Sequence, residues 1–187
     1  MTDSHASLAK KLEERFSNEL THCTTVHDQV TVTVAADDLL SVCKILRDDE
    51  QFAFMQLSDL CGVDYLTYGQ VDWSTKESTS TGFSRGRQDS DQESSHNINE
   101  RFAVVYHLLS IKHNIRLRLR CYMSDEYPRI ASVSGIWGSA DWFEREAFDL
   151  FGILFEGHPD LRRLLTDYGF IGHPFRKDFP LEGNVEV

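Results

Sequence analysis

Two neighbouring stretches decide the fold of this chain: Phe-Ala-Val-Val-Tyr-His-Leu-Leu at 102–109 and Ile-Arg-Leu-Arg-Leu-Arg-Cys at 115–121. Both have the composition of strands, and the polar residues 112–114 lie between them, so the pattern predicts a β-hairpin. Successive side chains of a strand point to opposite faces of the sheet. The second strand therefore presents apolar residues to one face and three arginines to the other. These arginines are Arg116, Arg118 and Arg120.

The arginine-bearing face has two interpretations. Three guanidinium groups in register can dock an acidic partner or a phosphate. They can also form a solvated sheet face that balances nearby carboxylates, as antiparallel sheets often have one wet face. The sequence alone favours the solvated face and leaves the docking surface as the alternative.

Upstream of the hairpin the sequence predicts two helices. Apolar residues recur every four positions between 8 and 20, which places them along one helical face. A second helix follows Asp37 and Asp38, either of which can cap its N-terminus. The apolar positions are Leu8, Leu12, Phe16 and Leu20 in the first helix, and Leu39, Cys43 and Leu46 in the second.

Two further strands complete the predicted core. Valine and threonine alternate over 30–34, the period of a half-buried strand. The mostly apolar run 52–60 is interpreted as a short strand, with a helix as the alternative. Together these elements predict an α/β fold of the α+β type: two layers, with a mixed sheet of four or five strands and helices mainly on one face.

Residues 74–99 differ in composition from the rest of the chain. Ten of these 26 residues are Ser or Thr, and only Phe83 and Ile98 are large and apolar. Such a segment buries too little surface to offset its ordering entropy. We interpret it as a low-complexity surface insertion in a core domain at 1–140.

The remaining residues, 141–187, are predicted to be one helix and an extended arm. Ser139 or Asp141 can cap a helix that ends at Phe151, with Gly152 as the stop signal. Asp141 and Glu144 have the spacing of a capping box. Beyond Gly152, glycines, prolines, basic residues and isolated aromatics alternate, which is typical of an arm that lies on another surface.

Glu144, Glu146 and Asp149 crowd this helix, and two such acids can form a general acid–base pair. Geometry favours a structural role, because Asp141, Arg145 and Asp149 are spaced so that the arginine can lie between two carboxylates. Glu144 and Glu146 lie in the first turns, where the helix dipole favours negative charge. No catalytic residue is predicted.

A short repeat marks the arm as an interface. Phe155-Glu-Gly-His-Pro159 recurs as Phe170-Ile-Gly-His-Pro174, and two basic residues follow each copy. Glycine and proline make each copy a rigid bend, and arginine and aromatic residues are enriched at binding hot spots. Substitution of Arg162 or Arg176 is expected to weaken assembly and spare the isolated fold. The predicted interface residues are Phe155, His158, Arg162, Arg163, Phe170, His173, Arg176 and Lys177.

A metal site is the less favoured interpretation of the two repeat histidines. Neither has a second histidine at i+3 or i+4, and HExxH is absent. A histidine bonded to backbone or carboxylate is the simpler expectation. The four cysteines are widely spaced and form no CxxC pair, so no metal or cofactor is predicted in this chain. They are Cys23, Cys43, Cys61 and Cys121.

Composition limits the partners. The chain has 187 residues and a net charge of −11, which argues against nucleic acid and anionic lipid, since both require basic patches. An acidic surface suits a soluble compartment or basic partner subunits. No stretch reaches the ~20 apolar residues that span a bilayer, and the N-terminus lacks a secretion signal.

The stretches 144–152 and 155–165 resemble the signature of one family of subunits in respiratory complex I, the NADH-quinone oxidoreductase. In bacteria this is the C subunit, and the mitochondrial counterpart is the thirty-kilodalton subunit. The likeness continues through 166–180 and is dense from about Arg101 onward. The signature positions are met at Glu144, Arg145, Glu146, Asp149, Leu150, Phe151, His158, Arg162 and Leu164.

The resemblance implies a non-catalytic connector subunit in the peripheral arm of a proton-translocating complex. Family members hold no redox centre and pack their C-terminal part along the large D subunit, with the B and I subunits nearby. The complex itself uses FMN, iron–sulfur clusters, NADH and quinone. The implied location is the cytoplasmic face of the bacterial inner membrane, or the matrix side in a eukaryote, with indirect membrane attachment. The family also continues beyond the position of Val187.

Two alternatives remain open from the sequence. One is the equivalent subunit of a membrane-bound hydrogenase or formate-oxidising complex, although the Gly-His-Pro repeat and the Arg-Lys-Asp-Phe-Pro ending favour the quinone-linked branch. The other is a freestanding metal-dependent hydrolase. Its residues would be Asp149, His158, His173 and Asp178.

Overall fold

The structure, a computed structural model, describes residues 2–66, 68, 73–75, 85–87, 100–123 and 127–180. A short 3₁₀ turn at Ala36–Asp38 leads into the second helix. The elements are α1 (Thr2–Arg15), β1 (Leu20–Val26), β2 (Gln29–Val34), α2 (Leu39–Asp48), β3 (Gln56–Asp64), β4 (Trp73–Thr75), β5 (Arg85–Arg87), β6 (Phe102–Ser110), β7 (Ile115–Met123), β8 (Arg129–Ala131), α3 (Ala140–Phe151) and β9 (Leu154–Glu156).

A five-stranded mixed sheet in the order β1-β2-β7-β6-β3 forms one layer of the fold. Strands β2 and β7 run parallel, and the other neighbours are antiparallel. The hairpin of β6 and β7 pairs without interruption from Phe102 opposite Met123 to Ser110 opposite Ile115. This confirms the predicted hairpin and the predicted mixed sheet.

The helices form the second layer and cover one face of the sheet. The apolar side chains of β7 point to this face, and side chains from all three helices join them in one core. Each fully buried large apolar side chain contributes roughly 1.5–3 kcal/mol relative to an exposed one. The predicted two-layer α+β architecture is therefore confirmed. The core side chains of β7 are Ile115, Leu117, Leu119, Cys121 and Met123.

The N-terminal predictions need two corrections. Helix α1 ends at Arg15, and Leu20 lies in edge strand β1, because the chain turns there and the Leu20 N–H donates to the carbonyl of Phe16. Asp38 stands before α2 but makes no side-chain capping bond. Its backbone belongs to the preceding 3₁₀ turn, with φ −92° and ψ −6°, whereas a capping residue is usually extended.

The strand predicted at 52–60 is shifted along the chain. Strand β3 begins at Gln56 and ends at Asp64, so the strand is confirmed over the helix but its start is wrong. Phe52 and Phe54 are buried core residues in a turn, where Ala53 has a positive φ of 48°. Their apolar character reflects burial of a turn and not strand pairing.

Helix α3 packs closely on β3 because Gly62 has no side chain. A Cβ at this position would lie 2.7 Å from the ring of Phe151. Gly152 ends the helix with a left-handed φ of 73°, as predicted. Ser139 stands at the predicted N-cap position but makes no capping bond, because its hydroxyl donates to the carbonyl of Leu57. The predicted capping box is not formed, since the Glu144 carboxylate bonds to Ser132 and Val133.

The polar segment at 74–99 lies mostly outside the described residues. Trp73–Thr75, at its start, and Arg85–Arg87, inside it, pair as the antiparallel strands β4 and β5. The division at residue 140 stays a prediction, although Ala140 and Ala147 of α3 belong to the same core as the sheet. None of the helices in the described ranges is long and apolar enough to cross a bilayer.

Candidate functional site

The candidate site is the arm at 157–180, which the structure shows without helix or strand. Such a segment can satisfy few backbone groups by itself, so other parts of the chain must position it. Two buried carboxylates do this: Asp149 near the end of α3 and Asp64 at the end of β3. The histidines and arginines of the repeat complete the attachment.

Asp149 holds the middle of the arm through five hydrogen bonds. Its Oδ2 accepts from the backbone N–H groups of Leu164, Leu165 and Thr166 at 2.9, 2.7 and 2.9 Å. Its Oδ1 accepts from the Thr166 hydroxyl at 2.6 Å and from Arg163 at 3.0 Å. Burial alone would raise the pKa of Asp149, but these bonds outweigh it and hold that pKa well below its usual range. Asp149 is therefore a structural anion.

Arg163 is fixed inside the arm. Its guanidinium donates to Asp149 and, at 3.1 Å, to the hydroxyl of Thr166. Its other terminal nitrogen donates to the carbonyl of Gly172 at 2.9 Å, and its Cζ lies 5.9 Å from the centre of the Phe170 ring. Arg163 thus joins the two copies of the repeat to each other.

The second copy covers the C-terminal end of α3. The ring of His173 donates from Nδ1 to the carbonyl of Asp149 at 2.8 Å, and Arg176 donates to the carbonyl of Phe151 at 2.7 Å. The last carbonyls of a helix lack partners within the helix, so both contacts satisfy exposed acceptors. Burial, followed by the neighbouring Arg176 and Arg163, lowers the pKa of His173, although the Asp149 contacts oppose this.

Gly152 makes this contact possible. A Cβ there would lie 2.6 Å from both the His173 ring and the Arg176 guanidinium. Because Arg176 is bonded to the helix end, its substitution is expected to loosen the arm itself. The expectation that Arg176 can be replaced without effect on the isolated fold therefore has no support in this geometry.

Asp64 is the second anchor. Arg101 donates to both of its oxygens at 2.9 Å, and the Lys177 N–H donates to Oδ2 at 2.8 Å. Asp178 lies 2.9 Å from the same guanidinium. Burial opposes charge at Asp64, but Arg101 and the two N–H groups of Lys177 and Leu66 lower its pKa overall. The far end of the arm is thereby tied to strands β3 and β6.

The first copy attaches to the opposite end of α3. The His158 side chain is 0% exposed, and its Nε2 lies 3.1 Å from the carbonyl of Asp141. Its Nδ1 accepts from the Asp160 N–H at 3.0 Å, so Nε2 carries the proton and donates. The Asp141 carboxylate is equally close to Nε2 but does not meet hydrogen-bond geometry.

Glu144 lies beside His158 but bonds to a different loop. It accepts from the Ser132 hydroxyl at 2.6 Å and from the Val133 N–H at 2.7 Å. Its distance to His158 Nε2 is 3.9 Å. Burial raises the pKa of Glu144, and its hydrogen bonds offset this only in part. The helix-dipole role predicted for Glu144 therefore does not describe its contacts, which hold the loop at 132–133.

The predicted bridge of Arg145 between Asp141 and Asp149 is also wrong. Arg145 donates to the carbonyl of Arg162 at 3.3 Å, and its Cζ lies 5.2 Å from the centre of the Trp142 ring. Spacing along a helix allowed the bridge, but the arm supplies Asp149 with better donors. The signature residues Glu144, Arg145, Asp149 and His158 thus hold loops and the arm onto α3.

The predicted interface residues fall into two groups. Phe155 is 2% exposed and belongs to the core through β9. The side chains of His158, Arg163, His173 and Arg176 are bonded within the chain, as described above. The exposed members of the set are Arg162, Phe170 and Lys177.

Sequence reasoning missed the exposed apolar residues of the arm. Between 165 and 175 the chain presents Leu165 (60% exposed), Ile171 (86%), Phe175 (56%) and a fully exposed Tyr168. Concentrated exposed apolar surface marks an interaction site, whereas scattered single residues do not. The sequence signal that could have identified them is the presence of large apolar residues in a segment without helical or strand periodicity. Such a segment has no buried face for them.

The metal-dependent hydrolase has no assembled site. Within the described part of the chain, no group of three or more His, Cys, Asp or Glu side chains can hold a metal ion. Asp149 is surrounded by hydrogen-bond donors, and Asp178 pairs with Arg101. His158 and His173 attach to opposite ends of α3.

Comparison with known sequences decides the family. Residues 32–185 match the family described as respiratory-chain NADH dehydrogenase, 30 Kd subunit. The chain belongs to this 30 Kd subunit family. A relative from Coxiella burnetii (strain Dugway 5J108-111), named as the C subunit of NADH-quinone oxidoreductase, is 56% identical over 182 residues, covering 97% of this chain and 80% of the relative.

One solved structure supports this family, and a second shows the fold. The trypsin-resistant fragment (1-134) of Nqo5 is 31% identical, with a TM-score of 0.59, and the match covers 82% of this chain and 98% of the fragment. A chain of the archaeal membrane-bound sulfane sulfur reductase is 18% identical with a TM-score of 0.66, over 95% of this chain and 86% of that one, and shows the fold alone. The predicted 30 Kd family and α+β fold are confirmed, and the relatives favour NADH-quinone oxidoreductase over the alternatives.

Proposed function

We propose that this subunit of NADH-quinone oxidoreductase acts as a connector in the peripheral arm of the complex, with its C-terminal arm as the docking surface. The observation that carries this proposal is the way in which the arm distributes its polar and apolar groups between its inner and outer sides. Arg163 and the backbone N–H of Lys177 turn inward to Asp149 and Asp64, while Tyr168 and Ile171 face outward. A segment built in this way leaves its apolar surface for another protein to cover.

The proposed main partner is the large D subunit of the complex, with the B and I subunits nearby. Exposed Arg162, Phe170 and Lys177 would border the apolar residues, as polar and aromatic side chains do around interface cores. FMN, the iron–sulfur clusters, NADH and quinone would be bound by other subunits. Membrane attachment would then be indirect, at the cytoplasmic face of a bacterial inner membrane.

A non-catalytic role is supported by how the acids and histidines of the site are used. A catalytic acid or base needs a group that can reach substrate and exchange a proton. Here Asp149 is held as an anion by five donors, and the bonded nitrogens of His158 and His173 attach the arm to backbone carbonyls. These side chains support the arm and present it.

The test is a double substitution of the outward residues. Tyr168→Ser with Ile171→Ser should prevent incorporation of the chain into the complex, seen on native gels, and reduce membrane NADH:quinone activity in proportion. The midpoint of urea unfolding of the isolated chain should change little, since both side chains are already exposed. Ile111→Ser, 69% exposed at the turn of the hairpin, is the matched control and should assemble normally. Normal assembly of the double variant would refute the proposal.

A further inference from the structure

The face of the sheet opposite the helices carries the arginine face, defined as Arg116, Arg118 and Arg120 of β7. Their neighbours across β6 are Leu109, His107 and Val105. On the β2 side, Thr31 lies beside Arg118 and Thr33 beside Arg120. The alternate residues of β7 fill the core, so the arginines lie on the other side of the sheet from α3. This surface is separate from the proposed docking surface of the arm.

None of the three guanidinium groups forms an ion pair within the described ranges, although Asp59 of β3 lies on the same face, opposite His107 and two strands away from Arg118. Arg116 and Arg118 form no ion pair with any described residue, and Arg120 donates to the phenol oxygen of Tyr122 at 2.8 Å. The Arg120 Nε is buried and has no hydrogen-bond partner among the described atoms. Three arginines without an ion pair among the described residues stand out in a chain with 30 acidic and 19 basic residues.

The geometry of the row fits an extended chain. Alternate residues of a strand are about 7 Å apart, so the arginines form a line with this repeat. Alternate side chains of an extended acidic segment have the same repeat, and each guanidinium can bind a carboxylate through two parallel hydrogen bonds. Phosphate sites instead gather donors around one point, commonly at a helix N-terminus. A linear array therefore favours a peptide over a phosphate.

We infer that the arginine face binds an extended acidic segment of a partner protein, with carboxylates at alternate positions. Arg116 and Arg118 would pair with carboxylates at the open end of the row. Arg120 would donate to a carboxylate from the terminal nitrogen that does not bond to Tyr122, with Tyr122 holding the guanidinium in place. The arginine face would thus give the subunit a second contact with its partners, in addition to the contact made by the arm. This second contact would be electrostatic, whereas the contact of the arm is apolar.

Binding of a synthetic peptide to the purified full chain tests this without the complex. The probe is a fluorescent peptide of alternating Glu and Thr, compared with one of alternating Gln and Thr. Arg116→Gln with Arg118→Gln should weaken binding of the Glu peptide by about tenfold or more, and added salt should also weaken it. Lys10→Gln with Lys11→Gln, which removes the same charge from exposed positions on α1, should leave binding unchanged. Equal losses in both double variants, or no preference for the Glu peptide, would overturn the inference.

Zero-length cross-linking locates the occupant in the intact complex, and this experiment rests on the proposed function. Arg118→Lys keeps the charge and introduces an amine that carbodiimide can join to a carboxylate in contact with it. Lys112 and Glu50, 3.4 Å apart, provide a positive control in the same chain. A link from position 118 to an acidic residue of another subunit is expected. Links confined to this chain, or none while the control link forms, would overturn the inference; failure of the Tyr168/Ile171 test would leave the peptide experiment unaffected.

Discussion

The sheet core and the C-terminal arm are built in opposite ways. In the core, apolar side chains turn inward and polar ones face outward, so folding buries apolar surface. In the arm, Arg163 and several backbone N–H groups turn inward to Asp149 and Asp64, while Leu165, Tyr168 and Ile171 face outward. The core therefore buries its own apolar side chains. The arm is preorganised by polar contacts within the chain and leaves its apolar side chains for a partner to cover.

The largest expected effect comes from removing the anchor of the arm. Asp149→Ala leaves Arg163 and three backbone N–H groups without their acceptor, and loss of one partner of a buried ionic network costs about 3–5 kcal/mol. We expect the free energy of unfolding, measured in urea, to fall by this amount, with the arm amides losing protection from hydrogen exchange first. Asp160→Ala, which removes an exposed pair with Arg162, should cost about 1 kcal/mol or less. Equal decreases in the free energy of unfolding for the two variants would show that Asp149 is not the main anchor of the arm.

Substitution of two glycines can distinguish the stability cost of backbone strain from the cost of poor packing. Gly152 and Gly157 have similar positive φ values of 73° and 82°, but only at Gly152 would a Cβ meet other atoms, 2.6 Å from His173 and Arg176. Gly157→Ala should therefore cost only the left-handed strain, about 1–2 kcal/mol. Gly152→Ala should cost about 1–3 kcal/mol more, because the arm must move away from the helix end. Equal losses of stability in the two variants, measured by thermal unfolding, would show that the arm does not pack against Gly152.

A smaller effect should appear with pH, because two carboxylates of α3 have pKa values shifted in opposite directions. The pKa of Asp149 is lowered from 3.8 by its hydrogen bonds against the effect of burial, so its contribution is present above about pH 4 and is lost as the pH falls through its folded value. The pKa of Glu144 is raised from 4.5 by burial, so stability linked to this group is greatest below pH 4.5 and is lost as the pH rises through its folded value.

Hydrogen exchange at matched amides would detect this difference. The Leu165 amide bonds to Asp149 and the Val133 amide bonds to Glu144. As the pH falls from about 4 toward the lowered pKa of Asp149, the Leu165 amide should lose protection progressively, because the opened state takes up a proton at Asp149 more readily than the folded state does. The Val133 amide should stay protected, because the raised pKa of Glu144 means that protonation of this carboxyl favours the folded state. If the Val133 amide lost protection before the Leu165 amide, the opposite pKa shifts of Glu144 and Asp149 would be contradicted.

The sequence was most informative where one side of an element is buried. The alternation in β7 and the apolar spacing in α2 follow from a one-sided environment, so both were predicted correctly. Edge strand β1, Leu-Thr-His-Cys-Thr-Thr-Val, is half exposed and polar on both sides, which left no period to recognise. Leu20 continued the spacing of α1 although the chain had already turned.

The candidate site was predicted in part. Its location in the last third of the chain followed from the Gly-His-Pro repeat, but its bonding pattern did not. Helical spacing assigned Asp149 to Arg145, whereas the arm delivers Arg163 and three backbone N–H groups from residues 14–17 positions away. Local spacing cannot include donors that arrive through the tertiary fold. The outward position of Tyr168 was equally hidden, since no periodicity distinguishes an exposed aromatic residue from an anchoring one.

The central claim, that the outer side of the arm is a protein contact, is tested most directly by hydroxyl-radical footprinting of Tyr168 and Ile171. The rates of side-chain oxidation would be compared between the isolated chain and the assembled complex, with Ile111 as the exposed reference. We predict rapid oxidation of both residues in the isolated chain and strong protection in the complex. Equal oxidation rates in the two states would contradict the claim.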